Sequence, residues 1–88
     1  MNQKDIKISF DPPLTIGEES LTEITMREPL VKDMRHVDRL GGTDLEKEVV
    51  MISRLTRINP EDLDRLSVNQ YKQLQDHYAA FFTGHGQN

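Results

Sequence analysis

Residues 21–37, LTEITMREPLVKDMRHV, decide how the chain folds. Thr22, Ile24 and Met26 recur at every second position, opposite Leu21, Glu23 and Thr25, which is the period of a half-buried strand. After Arg27-Glu28-Pro29 the period changes. Leu30, Met34 and Val37, with Leu40 beside them, return at the spacing of one helix side. Pro29 suits the first helical turn, where its missing N–H costs nothing. A strand hands over to a helix here, so the chain reads as α+β.

Upstream, Ile6, Ile8 and Phe10 alternate with Lys7 and Ser9, again the pattern of a strand. Asp11-Pro12-Pro13 ends that strand, because proline cannot donate to a ladder. Leu14 and Ile16 begin a short second strand, and Gly17-Glu18-Glu19-Ser20 supplies a turn in which Gly17 takes the conformation that costs other residues more. The expectation is an antiparallel β-hairpin or a small three-stranded sheet. Alone it would be marginal, so a helix must cover it.

Downstream, Gly41-Gly42 stops the first helix. Thr43 and Glu46 form a capping box that opens helix two, which runs toward Arg57. Asn59-Pro60-Glu61-Asp62 places an N-cap residue, a proline and two acids in the order that starts a helix. That helix is short and ends near Leu66. Ser67 and Gln70 make a second capping box, and the last helix reaches Phe82 before Gly84. Three main helices and one short connecting helix therefore follow the hairpin. The chain reads as a single domain over 1–88, with a β segment at about 4–27, a helical segment at 29–83 and a frayed tail at 84–88. Ile24, Met26, Met34, Val37, Val49, Ile52, Leu55, Leu74 and Tyr78 are expected to be largely buried.

Composition narrows the function classes. With no cysteine, the chain has no disulfides, thiolate nucleophiles, zinc knuckles or iron–sulfur ligands. Its apolar runs are too short to span a bilayer, so no membrane role is expected. MNQKDIKISF holds no apolar h-region, which points to a cytoplasmic protein. The formal charge is -4, and along the sequence the cations are interspersed with acids. A helix-turn-helix reading would have the last helix present Asn69, Gln70, Lys72, Gln73 and Gln75 to base edges. Few cations stand near them to neutralise phosphates, so no nucleic-acid partner is expected.

No constellation for catalysis is legible. His36, His77 and His85 include no i, i+4 pair and no HExxH, so neither a metal nor a cofactor is expected. Glu61, Asp62 and Asp64 at a helix start are explained by the helix dipole. Ser9, Ser20, Ser53 and Ser67 lack an elbow motif, and Gly41-Gly42 follows a helix where a phosphate loop would follow a strand. The expectation is a protein that is not an enzyme.

The apolar helix faces say more. Tyr71, Tyr78, Phe81 and Phe82, with Val68, Leu74 and Ala79, cover an arc of roughly 160° on the last helix. On helix two, Leu45, Val49, Met51, Ile52, Leu55 and Ile58 span roughly half the circumference, with Val50 outside that arc. Two readings stand together. Both faces build the core, and the surplus over what a small sheet can cover forms an oligomer contact or a groove for another helix. The candidate partner-binding residues are Val50, Met51, Tyr71, Leu74, Tyr78, Phe81 and Phe82.

The order of these features resembles a family. A short β segment with a proline loop, ISFDPPLTIGEE, leads to a second strand and Ile24-Thr25-Met26-Arg27-Glu28-Pro29. A helix with Asp33, the Gly41-Gly42 break and the leucine-containing helix EKEVVMISRLTRI come next. Asn59-Pro60-Glu61-Asp62-Leu63 and a final Leu66, Tyr71, Leu74 segment complete the series. From about Ile6 to Phe82 the chain resembles the small tail assembly chaperones of Mu-like and other contractile-tailed phages and prophages. That resemblance implies a non-enzymatic protein of the host cytoplasm, absent from the mature virion. It implies binding to the tape measure protein and help for tail tube protein assembly, in many phages through a frameshifted longer form. A small DNA-binding regulator and a structural tail component are the alternatives. A homo-oligomer is a further candidate partner.

Overall fold

In the computed structural model, which describes residues 5–83, two strands pair before the helices begin. β1 is Ile6–Ile16 and β2 is Glu19–Met26, joined antiparallel as one two-stranded sheet. Ile6 faces Met26 and Ile8 faces Ile24, so the alternating apolar side chains of both strands lie on one side. Gly17 takes φ +63 in the turn, a conformation glycine adopts without a Cβ penalty.

The expected break at Asp11-Pro12-Pro13 is replaced by an irregularity within one long strand. Pairing lapses after Ser9–Glu23 and resumes at Leu14–Leu21. Pro12 and Pro13 bulge outward there and remain exposed, where no ladder donor is needed. Phe10 and Leu14, on either side of the bulge, both point into the core. The sheet accordingly has two strands and not three. Thr22, which alternation puts on the same face as Ile24 and Met26, stands opposite the bulge and is exposed.

Among the described residues four helices follow: α1 Val31–Leu40, α2 Asp44–Thr56, α3 Pro60–Leu63 and α4 Val68–Thr83. α2 is the hub, packing on α1, α3, α4 and β2, while α4 also reaches β1. Thr43 Oγ1 accepts from the Glu46 N–H at 3.1 Å and Glu46 Oε1 accepts from the Thr43 N–H at 2.9 Å, a complete capping box. Ser67 and Gln70 repeat the arrangement before α4 at 3.1 and 3.4 Å. Gly42 has φ +108, and a Cβ there would stand 2.6 Å from Glu46 Oε1, so the box at the start of α2 needs a glycine before it.

The core gathers Ile8, Phe10, Leu14, Ile24 and Met26 from the sheet with Val37, Met51, Ile52, Leu55, Ile58, Leu63 and Leu74 from the helical part. Each such side chain contributes roughly 1.5–3 kcal/mol when fully buried. Val49 and Tyr78, expected in the core, are half-buried against it. The first helix departs further from expectation. It starts at Val31 with Leu30 as N-cap, so Pro29 precedes it. Met34 is 52% exposed, while Asp33 is fully buried beside Val37. The expected frayed tail lies outside the described residues.

Asp33 is buried because every lone-pair direction it offers is occupied. Its Oδ1 accepts from Arg27 Nη2 at 2.7 Å and Arg54 Nε at 2.9 Å. Its Oδ2 accepts from Arg27 Nη1 at 2.9 Å and the Leu30 N–H at 2.8 Å. These charge-assisted bonds offset the cost of desolvating a carboxylate. They also hold the Asp33 carboxyl well below the usual carboxylate range, the Arg27 hydrogen bonds chiefly, against the opposing effect of burial. The Arg27 N–H donates to the Leu55 carbonyl at 3.0 Å, fixing the end of β2 to α2.

Candidate functional site

Once the sheet is covered, several large apolar side chains of the helices remain outside the core. Leu45, in the first turn of α2, is 60% exposed, and Val68, in the first turn of α4, is 82% exposed. The two border a shallow apolar groove with Val49, Leu63, Leu66 and Tyr71. An adjoining depression carries Val50 and Pro60 and shares Leu45 and Val49 with it. Local sequence explains the placement. The two capping boxes start α2 and α4, and the short α3 brings those starts beside each other.

A polar contact ties the groove wall together. The Tyr71 hydroxyl donates to Glu48 Oε1 at 2.9 Å, and Gln75 Nε2 donates to the same oxygen at 2.8 Å. Burial raises the Tyr71 phenol above its ordinary value, and the Glu48 carboxylate raises it further by accepting from the neutral form. α4 is thus fastened to α2 at the point where their apolar side chains open to solvent.

The candidate residues named from sequence divide into three groups. Met51 and Leu74 lie in the core. Val50 and Tyr71 border the groove and its adjoining depression. Tyr78, Phe81 and Phe82 lie farther along α4; Tyr71 and Phe82 are eleven residues apart, about 16 Å of helix. Phe82 is 53% exposed and meets Tyr78 edge to face, with ring centroids 5.2 Å apart. Leu45, Val49, Leu66 and Val68 were not singled out as partner residues. Periodicity put Leu45 and Val49 on the inward face of α2, and nothing local tells that the start of a helix overhangs the core.

Among the described residues, no group of three or more His, Cys, Asp or Glu is placed to hold a metal ion. His77 Nδ1 lies 2.8 Å from the Gln73 carbonyl on its own helix, and His36 stands with Lys32, Arg35 and Arg39 on α1. No helix among those residues is long and apolar enough to cross a membrane.

The family model described as phage tail assembly chaperone proteins, E, or 41 or 14, matches residues 7–83. Curated proteins and solved structures give no match. The matched span takes in all but the first residue of the hairpin, the Asp33 junction, both capping boxes and the apolar groove, and the chain belongs to the phage tail assembly chaperone family.

Proposed function

We propose that the chain is a non-enzymatic chaperone that binds amphipathic helices of the tape measure protein in the groove between α2, α3 and α4. One observation carries this reading: Leu45 and Val68, large apolar side chains at two adjoining helix starts, stand in water on either side of an apolar groove. An amphipathic helix laid there covers them without disturbing the core. Val50 and Tyr71 extend the contact at the groove, and Phe81 and Phe82 extend it along α4. The protein acts in the host cytoplasm, keeps the client soluble, and releases it as tail tube subunits polymerise around it. It is absent from the finished particle.

Co-expression with the tape measure protein of the same phage tests the reading. Leu45→Asp and Val68→Asp change exposed positions, so the expected result is an unchanged melting temperature and loss of co-purification. Full co-purification by both stable variants overturns the groove assignment. Recovery of the chain from purified virions overturns the chaperone role in favour of a structural tail component.

A further inference from the structure

We propose that the face formed by α1 and the end of α2 is a second docking surface, for an acidic amphipathic protein segment. The cations that alternate with acids along the sequence are segregated in space. Arg27, Lys32, Arg35, Arg39, Arg54 and Arg57, six of the chain's eleven Lys and Arg, line two adjoining depressions that share Lys32 and Arg54. Asp33, tied to Arg27 and Arg54, is buried beneath them. Lys32, Arg35, Arg39 and Arg57 have no ion-pair partner among the described residues.

Arg54 is pre-oriented for an anion. It uses Nε on Asp33, and its two terminal amino groups make no hydrogen bond among the described residues. A guanidinium held in this way presents a fork to an incoming carboxylate at little further cost in side-chain entropy. Asp33 therefore acts as a positioning residue for this surface as well as a junction of the fold.

Two observations favour a protein segment over a nucleic acid. Leu30 lies in the same depression as Lys32 and Arg57, and Leu40 stands exposed one turn beyond His36, which lines the other depression. Cations beside apolar anchors fit a helix with carboxylates on one side and leucine-like residues on the other. The patch is also bounded. Arg27 and Arg57 border a further cleft lined by Asp5, Glu19, Glu23 and Asp62. A phosphate backbone that outran the cations would meet those carboxylates, whereas a short acidic segment ends before them.

The surface shares no lining residue with the apolar groove, so the two are tested separately. The probe is a labelled synthetic peptide of about 18 residues with Glu on one face and Leu on the other, about 27 Å long as a helix. That length fits within the molecule's 35 Å long axis. Anisotropy titrations compare the unaltered chain, Arg35→Glu/Arg39→Glu, Arg57→Glu and Leu40→Asp, with melting temperatures recorded alongside. None of these side chains hydrogen-bonds or ion-pairs with Asp33. Expected are salt-sensitive binding, a loss of at least about tenfold in each charge-reversed chain, a loss in Leu40→Asp, and no binding of a Lys-for-Glu peptide. Leu45→Asp keeps peptide binding, which separates this surface from the client groove. Binding unaffected by either charge reversal overturns the proposal. So does duplex DNA that binds as tightly as the peptide, or self-association abolished by the same reversals, which would make a second copy the occupant.

Discussion

Arg27 grips Asp33 through both terminal nitrogens, at 2.7 and 2.9 Å, across the Glu28-Pro29 link between β2 and α1. Arg54 reaches the same carboxylate from α2, so one buried side chain joins the sheet, the first helix and the hub helix. Asp33→Ala leaves two guanidiniums facing each other with no anion between them. Breaking a buried pair from one side costs about 3–5 kcal/mol, and the partial exposure of both arginines puts this case toward the lower end. Thermal denaturation should show a drop of at least about 10 °C, given roughly 4–8 °C per kcal/mol in a domain of this size. A shift of only a degree or two would mean that the junction is held by packing alone.

The same carboxylate sets the acid limb of stability. Its folded pKa lies below its unfolded value of about 4. The stabilisation is therefore fully present above that pH and is lost as pH falls through the folded value. Urea melts at pH 6, 4 and 2.5 should show the unaltered chain losing stability on acidification, with a smaller loss in Asp33→Asn. Tyr71 has the opposite sign: its phenol is raised, so its contribution is present below about pH 10 and declines as pH rises further. Tyr71→Phe, which removes the hydrogen bond to Glu48, should cost about 1 kcal/mol at neutral pH and flatten the alkaline decline.

Gly42 and Gly17 both carry positive φ, yet substitution should separate them. At Gly42 a Cβ meets the Glu46 carboxylate that caps the Thr43 N–H. Gly42→Ala combines backbone strain with damage to that capping box, and a cost of about 1–3 kcal/mol is expected. Gly17, at φ +63, has nothing within 4 Å of its ideal Cβ position. Gly17→Asn should be nearly neutral, since asparagine tolerates the left-handed region. Equal melting temperatures for the two variants would show that the Thr43–Glu46 box contributes little.

What the sequence disclosed and what it hid follow one physical division. Local chemistry was legible: the alternation of Ile6, Ile8 and Phe10, and the caps at Thr43 and Ser67, each complete within a few residues. Features made by distant segments were not. Met34 matched the apolar stripe of α1, but Arg27 at the end of β2 and Arg54, 21 residues beyond Asp33, together supply the donors that hold Asp33 inward. β1 runs through Pro12-Pro13 because Leu14 finds Leu21 across the sheet and resumes the ladder. The cations alternate with acids in sequence and converge only when α1 packs on α2. The groove depends in the same way on where α3 sets the starts of α2 and α4.

At the aromatic end of α4, core residues and the proposed client contact can be told apart most sharply. Leu74 is fully buried, and Phe82, two turns on, is more than half exposed, with Tyr78 between them in edge contact with Phe82. Leu74→Ala should cost about 2–5 kcal/mol whatever the client does, because it opens a cavity in the core. Phe82→Ala removes a ring that water already reaches, so stability should change by no more than about 1 kcal/mol, including the lost aromatic pair. If tape measure helices extend from the groove along α4, Phe82→Ala weakens co-purification at nearly constant melting temperature. Val50→Asp provides the companion measurement: Val50 is half-buried beside the groove, so it should lose both client and some stability. Should Phe82→Ala unfold the chain, that ring belongs to the core. Should it remain stable and retain the client in full, the contact stops at Tyr71, and the groove between α2, α3 and α4 is the whole of the binding surface.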